Sequence, residues 1–489
     1  MVEVYIGIAV YLLAMLGIGY IASRRVTNAA DFLVAGRSLP LWLTVGTLSA
    51  TWFGGGTVLG AAGAAYEKGF IGVIADPFGA ALCLLLAGLF FARMLRRMSV
   101  MTIVDVFNSR YDKRTGFLAA VATIIIYVGW TGALLVSFGF VLQTITGIST
   151  EWAIGIGTAI TLIYTMIGGM WAVAWTDFLQ IILVVLGLLI AFPVLIKEAG
   201  GLEAILSRLP EGSFSMTPEE GGFSNWLFYI RAWIVIGLGN IAGQDLMQRC
   251  LAAKDEKTAQ TGLYISSGVY LTFGLIPICM GLIGTILMPD IENAEFIVPM
   301  LVMEYLPTTV VVIFVSALLA AVMSSADSAI LATSSVIGKN LIPFAKPDAT
   351  DANILKWSRW SVPVVTILAL MVALYFQNIY NLLVNAFSIA LVSLFVPLTA
   401  AIWWKKANIP GALASMIVGL VCWVVVPFFT IAIPSDLFGL VMGIIALVVV
   451  SLATQRSNEP RPLRNAEGVE LALARRFGNL SPFGTESND

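Results

Sequence analysis

The stretch ALLAAVMSSADSAILATSS, Ala317 to Ser335, poses the problem on which the fold turns. Apolar sequence flanks it and its period is helical, yet it carries hydroxyls at Ser324, Ser325, Ser328, Thr333, Ser334 and Ser335 and a carboxylate at Asp327. In hydrocarbon every unsatisfied polar group is costly, so a helix of this kind needs partners for its oxygens. Ala321, Ser324, Ser325 and Ser328 fall at i, i+3, i+4 and i+7, which is one helix face. Asp327 borders that face. Hydroxyls and backbone carbonyls are the oxygen donors that a hard monovalent cation such as Na⁺ takes without excess charge.

The composition around this stretch is that of a bilayer protein. Of 489 residues, 59% are hydrophobic and 11% are charged, against about 25% charged in ordinary soluble domains. No secretory signal pattern opens the chain: Met1 to Tyr5 lacks a basic region and no small-residue cleavage site follows. The net charge of −2 selects no partner. Cys83, Cys250, Cys279 and Cys422 are scattered at no disulfide or metal spacing and read as packing residues. The chain has no histidine, which removes the commonest transition-metal ligand and the usual neutral-pH proton carrier. With no nucleophile–base pair either, an enzyme is not expected.

Apolar runs of about 18 or more residues mark about 13 transmembrane helices. They lie near 4–23, 41–65, 71–95, 116–147, 152–172, 176–197, 225–248, 261–288, 298–338, 357–376, 380–404, 409–432 and 436–454. Basic residues crowd alternate loops: Arg24, Arg25 and Arg37; Arg93, Arg96, Arg97, Arg110, Lys113 and Arg114; Arg249, Lys254 and Lys257. They return at Lys339, Lys346, Lys356 and Arg359, and then at Lys405 and Lys406. Intervening loops are acidic or neutral, as at Glu198, Glu203, Glu211, Asp290 and Glu292. The positive-inside rule then places the N-terminus outside and the C-terminus in the cytoplasm, in the plasma or inner membrane. The tail after Ser457 is polar and is expected to be partly disordered.

Two spans are interrupted. The second holds Gly54-Gly55-Gly56 at its middle, and the seventh holds Gly237, Gly239, Asn240 and Gly243. Glycine costs about 1 kcal/mol relative to alanine inside a helix, so three in a row imply unwinding or very close helix contact. Spans two to six and seven to eleven form two sets of five, each opening with an interrupted helix. That is the pattern of an inverted-repeat transporter with its site at the midplane. The expected organisation is 1–40 first helix and linker, 41–198 first repeat, 225–405 second repeat and 409–455 two extra helices. Together 1–455 form the membrane domain, with 456–489 as a cytoplasmic tail.

Carboxylates inside spans are functional candidates. Asp177 sits at the junction of spans five and six, and Asp327 lies deeper. Glu67, Lys68, Arg231, Asp245 and Arg249 read as span-end residues in solvated or interfacial positions. Asp76, at the start of span three, reads either way.

Four segments together make the chain resemble the sodium:solute symporter family over nearly its whole length: ADFLVAGRSLP, GGMWAVAWTDFLQ, GQDLMQRCLAAKDEKTA and AAVMSSADSAILATSS. The resemblance implies an all-α, LeuT-like five-plus-five core with one extra N-terminal and two extra C-terminal helices, coupling Na⁺ entry to solute uptake. Carried over, the principal Na⁺ site comprises the carbonyls of Ala50, Phe53 and Ala321 and the hydroxyls of Ser324 and Ser325. A second ion site seen in some members falls on Asp177, Ser324, Asp327 and Ser328. Asp327 stands where sialic-acid-type members have a plain hydroxyl. Within the family the motifs are most similar to high-affinity choline transporters: ATWFGGG is close to their ATWVGGG, and VMSSADS matches.

Those transporters enclose a quaternary ammonium in an aromatic cage. Trp52 and Trp130 match two cage positions, while Ala80 replaces a tyrosine and Gly243 and Leu383 each replace a tryptophan. The implied substrate site gathers Trp52, Gly54, Gly55, Gly56, Trp130, Asn240, Gly243 and Gln244. The expected cargo is Na⁺ with a small zwitterion or organic cation, such as choline or betaine; a proline-type amino acid or a monocarboxylate is the alternative. A membrane sensor on the same scaffold is the competing class. Expected partners are the bilayer, Na⁺ and a small solute, with no nucleic acid, the protein being a monomer or weak homo-oligomer.

Overall fold

The computed structural model describes residues 2–219, 221–429 and 432–473. Apart from one short hairpin the described chain is helical. The helices that position the site are α1 Val2–Ser23, α2 Leu41–Trp52, α3 Ala62–Lys68, α4 Ala80–Phe90, α5 Ile103–Arg110, α6 Lys113–Thr146 and α7 Thr150–Glu198. After a loop come α8 Phe223–Gly239, α9 Gln244–Ala252, α10 Glu256–Leu287 and α11 Thr308–Val336. Then follow α12 Asp351–Phe376, α13 Ile379–Ala390, α14 Val396–Trp403, α15 Ile409–Val425 and α16 Ser435–Ala453. Short turns join them.

Burial sorts the layers. The α11 span buries 78% of its apolar window inside the protein, against 22% for α1. Helix α11 is therefore central and packs on α1, α2, α6, α7 and α12, whereas α1 presents most of its side chains outward. The outward side chains are apolar, as a lipid-facing surface requires.

Several helix starts are capped by side chains, which satisfy their unpaired amides. Thr102 and Asp105 form a capping box on α5, Asp112 caps α6 and Asp255 caps α10. The Glu295 carboxylate accepts from the Ile379 and Tyr380 amides at the start of α13 (3.2 and 3.0 Å). At the other end, the buried Arg110 guanidinium donates to the carbonyls of Ala401, Trp404 and Lys405 and closes α14.

Among the described residues ten helices are long and apolar enough to cross a membrane, or eleven with the bent pair 223–242 and 244–252 taken as one span. The sequence reading expects about 13. The difference falls where the chain is broken. Helix α2 stops after 12 residues. Helix α7 kinks at Gly169 (φ 60°), ahead of which lies only the shorter apolar helix Thr150–Ile163. A Cβ at Gly169 would sit 2.6 Å from the Phe32 ring, so both the dihedral and the space select glycine there.

The polar tail, expected to be partly disordered, is ordered as far as residue 473. Leu463–Arg464 and Glu470–Leu471 pair antiparallel. The segment is tied down by Ser109 donating to the Arg464 carbonyl (2.7 Å), by the Ala466 amide on the Met98 carbonyl (2.9 Å) and by Arg110 on the Arg461 carbonyl. The rest of the expected tail lies outside the described residues.

Candidate substrate and ion site

The break after α2 comes from a single redirected amide. The Gly54 N–H turns to the Trp52 carbonyl (2.9 Å) instead of reaching four residues back to Ala50, and Phe53 leaves helical geometry (φ −80°, ψ 63°). The Ala50 carbonyl thereby loses its helical donor. Crowding explains the three glycines. A Cβ on Gly54 would lie 2.1 Å from Ser325 Oγ, on Gly55 2.3 Å from Ser137 Oγ, and on Gly56 2.5 Å from Leu383 Cδ1. None of the three has a positive φ, so side-chain size is what the positions select. The second break runs through Asn240–Gly243, where Gly243 N–H returns to the Asn240 carbonyl and α9 leaves α8 at 50°.

Helix α11 lays its serine face against the first break. Ser325 Oγ donates to the Thr51 carbonyl (2.8 Å), and Ser324 Oγ donates to Asp177 Oδ1 (2.5 Å). With both protons committed, the remaining lone pairs of these oxygens are open to a cation. The Ala321 carbonyl faces the same break, 3.6 Å from where a Gly54 Cβ would stand. Among the described residues no group of three or more Asp, Glu or Cys is placed to hold a metal; the oxygens gathered here are hydroxyls and carbonyls, a donor set that fits Na⁺.

Behind this set stands a buried cation. Arg249 was expected near a span end, but its side chain is fully buried, with Nη2 3.8 Å from Asp177 Oδ2. The same nitrogen donates to Ser328 Oγ, which also lies 3.1 Å from Thr51 Oγ1. Thr47 Oγ1 completes the shell around Asp177 (2.5 Å). Ser328 Oγ is 3.4 Å from Asp327 Oδ1. Asp245, likewise expected near a span end, is buried and accepts from the Tyr127 hydroxyl. Arg231 is half-buried and pairs with Asp436 (2.6 Å).

Beside the same break lies a narrow cavity of about 20 Å³. Trp52, Gly54, Gly56, Trp130 and Asn240 line it, with Ala80, Tyr270, Ser325, Leu383, Phe387 and Asp76. Gly55, Gly243 and Gln244 do not line it. Gln244 instead accepts from the Ile103 amide at the start of α5 (2.7 Å). Asp76 is 3% exposed. Tyr270 donates to its Oδ1 (2.7 Å) and Thr57 to its Oδ2 (2.9 Å). Among the described residues no cationic side chain pairs with it. The sequence signal for Asp76 was a lone acid within GVIADPFGAALCLLL, and Tyr270 carried none.

Residues 32–419 match the sodium:solute symporter family. The chain is 31% identical to a high-affinity choline transporter 1 of Caenorhabditis elegans, over 80% of this chain and 70% of that one. It is 28% identical to a sodium/pantothenate symporter of Haemophilus influenzae, over 91% and 94%. The chain belongs to the sodium:solute symporter family. The structure of a Na⁺-coupled sialic acid symporter matches this symporter with a TM-score of 0.82 at 20% identity, covering 96% and 99% of the two chains. The fold is LeuT-like, and the protein is a multi-pass, sodium-coupled solute symporter and not an enzyme.

Proposed function

We propose that this symporter takes up a small organic cation together with Na⁺, and that Asp76 is the counter-charge of the substrate. The carrying observation is a buried carboxylate on the wall of a tryptophan-lined cavity, partnered by two hydroxyls and, among the described residues, by no cationic side chain. An unpaired buried charge is strongly unfavourable, so the ionised site gains most from a cation arriving with the cargo. Trp52 and Trp130 add ring faces that attract such a cation. Relatives named for choline support this class.

Na⁺ is held between the break after Trp52 and α11, by the carbonyls of Ala50, Phe53 and Ala321 and the hydroxyls of Ser324 and Ser325. The Arg249 guanidinium already neutralises Asp177, which argues for one Na⁺ per cycle over a second ion on Asp177, Asp327 and Ser328. The N-terminus lies outside and the C-terminus in the cytoplasm. The membrane potential contributes roughly 2.3 kcal/mol per charge per 100 mV, so a cationic cargo and Na⁺ are both drawn inward.

The test is a thermal-shift and uptake screen of purified protein in Na⁺ and in K⁺, across organic cations, zwitterions and short carboxylates. Sodium-dependent stabilisation by cations is expected, and it should vanish in Asp76→Asn. A preference for anions would sink the proposal.

A further inference from the structure

A third buried carboxylate joins the walls of the cavity from behind. Asp436 lies in the first turn of α16 and is 1% exposed. Its Oδ2 accepts from Arg231 Nε on α8 (2.6 Å) and from Ser388 Oγ on α13 (3.0 Å), and its Oδ1 accepts from the Leu437 amide (2.9 Å). Both partner helices are cavity walls: Ile236 and Asn240 of α8 line it, as do Leu383 and Phe387 of α13. The two walls touch, since a Cβ on Gly239 would lie 2.6 Å from the Phe387 carbonyl oxygen. The hairpin of α15 and α16 is seated on the same wall, where Gly419 and Gly439 make room for Val392 just past α13.

At about 20 Å³ the cavity admits little more than a water molecule, so a solute enters or leaves only when its walls part. We infer that Asp436 is the latch that holds α8 against α13, and that parting them on the Phe223 side of the cavity breaks its hold. Arg231 precedes Ile236 by five residues, about 7.5 Å along the helix, which puts its backbone on that side. Asp436 touches neither the cavity nor the ion oxygens, so it is a positioning residue. The pair is built to release. The Arg231 side chain is 30% exposed, so water can replace the carboxylate. Asp436 stays at a helix N-terminus, where the Leu437 amide and the helix dipole favour its charge with or without Arg231. Asp177 and Arg249, both fully buried, have no such exit. The latch acts on any solute and does not rest on the cation reading.

The test reads the separation of α8 and α13 directly. Spin labels at Phe223→Cys and Asn381→Cys, both exposed positions, report it by pulsed-EPR distances. The full-length protein is measured in Na⁺ without solute, with Cys279 and Cys422 replaced by serine; Cys83 and Cys250 are buried. Asp436→Asn should raise the ratio of wider to narrower separations by a factor of ~5 or more. Ser388→Ala should shift it in the same direction, and it carries the test if Asp436→Asn does not fold. Asp436→Glu, which keeps the charge, should return the ratio toward that of the unsubstituted protein.

Separations that Asp436→Asn leaves unchanged, or moves toward the narrower one, overturn the latch. So does an Asp436→Glu protein that behaves like Asp436→Asn, because the residue would then act by packing and not by its charge.

Discussion

Two buried carboxylates flank the break after α2, Asp177 bonded to Thr47 ahead of it and Asp76 to Thr57 beyond it, and they differ in what surrounds them. Asp177 has two hydroxyls and a fully buried guanidinium. Asp76 has two hydroxyls and, among the described residues, no such cation. Burying an ion is costly unless it is paired. The protein has met that cost internally at Asp177 and has left it open at Asp76. In the proposed function the first carboxylate organises Ser324 for the ion, while the second awaits a positive charge brought by the substrate. Charge balance assigns the two roles, although both acids sit in apolar sequence.

Neutralising the open carboxylate should have the largest effect. Asp76→Asn keeps an acceptor for Tyr270 or Thr57 and nearly the same volume, so folding should survive. Losing the partner of a desolvated charge costs about 3–5 kcal/mol, and uptake should fall by a factor of ~100 or more. Sodium-dependent thermal stabilisation without substrate should persist. Wild-type uptake by Asp76→Asn would erase the distinction between the two acids.

Ser324→Ala attacks the other side. It removes an oxygen from the ion site and a donor from Asp177, and sodium-dependent uptake should be lost. If uptake keeps an unchanged Na⁺ dependence, the ion-site assignment is wrong.

Arg249→Met sharpens the comparison through stability. It strands Asp177 as a buried, unpaired charge, and detergent-solubilised protein should lose about 3–5 kcal/mol. Adding Asp177→Asn removes the stranded charge and should restore more than half of that loss. Equal instability of single and double variants would show that Arg249 acts through packing and not through Asp177.

The parts of this arrangement that were legible in the sequence are those written in local pattern. The serine face of α11 follows from helical period, and the breaks at Gly54–Gly56 and Asn240–Gly243 follow from glycine in apolar runs. The four family motifs carried the proposed ion-site residues onto these elements. Tyr270 was not legible, because it meets Asp76 across 194 residues of chain. Arg249 and Asp245 were misplaced for a geometric reason. Counting along a straight span puts them near its end, but the 50° bend at Gly243 swings α9 into the core. Gln244 failed in the same way: the bend carries its side chain to the α5 amide and away from the cavity.

The smallest expected effect concerns the ring beside the open carboxylate. Trp52 packs edge-on against Tyr270, with centroids 6.2 Å apart, and its own carbonyl lies 3.1 Å from the Tyr270 hydroxyl oxygen. The residue therefore has two separable contributions. Its backbone helps to hold the hydroxyl that donates to Asp76, and Trp52→Ala preserves that contact. Its ring would face the proposed cation, and a desolvated cation–π contact is worth about 2 kcal/mol. Substrate affinity in Trp52→Ala should drop by a factor of ~30, with Na⁺ affinity unchanged because the Ser324–Asp177 contact does not involve the ring. Unchanged substrate affinity would remove the ring from the site and leave Asp76 to hold the cargo without it.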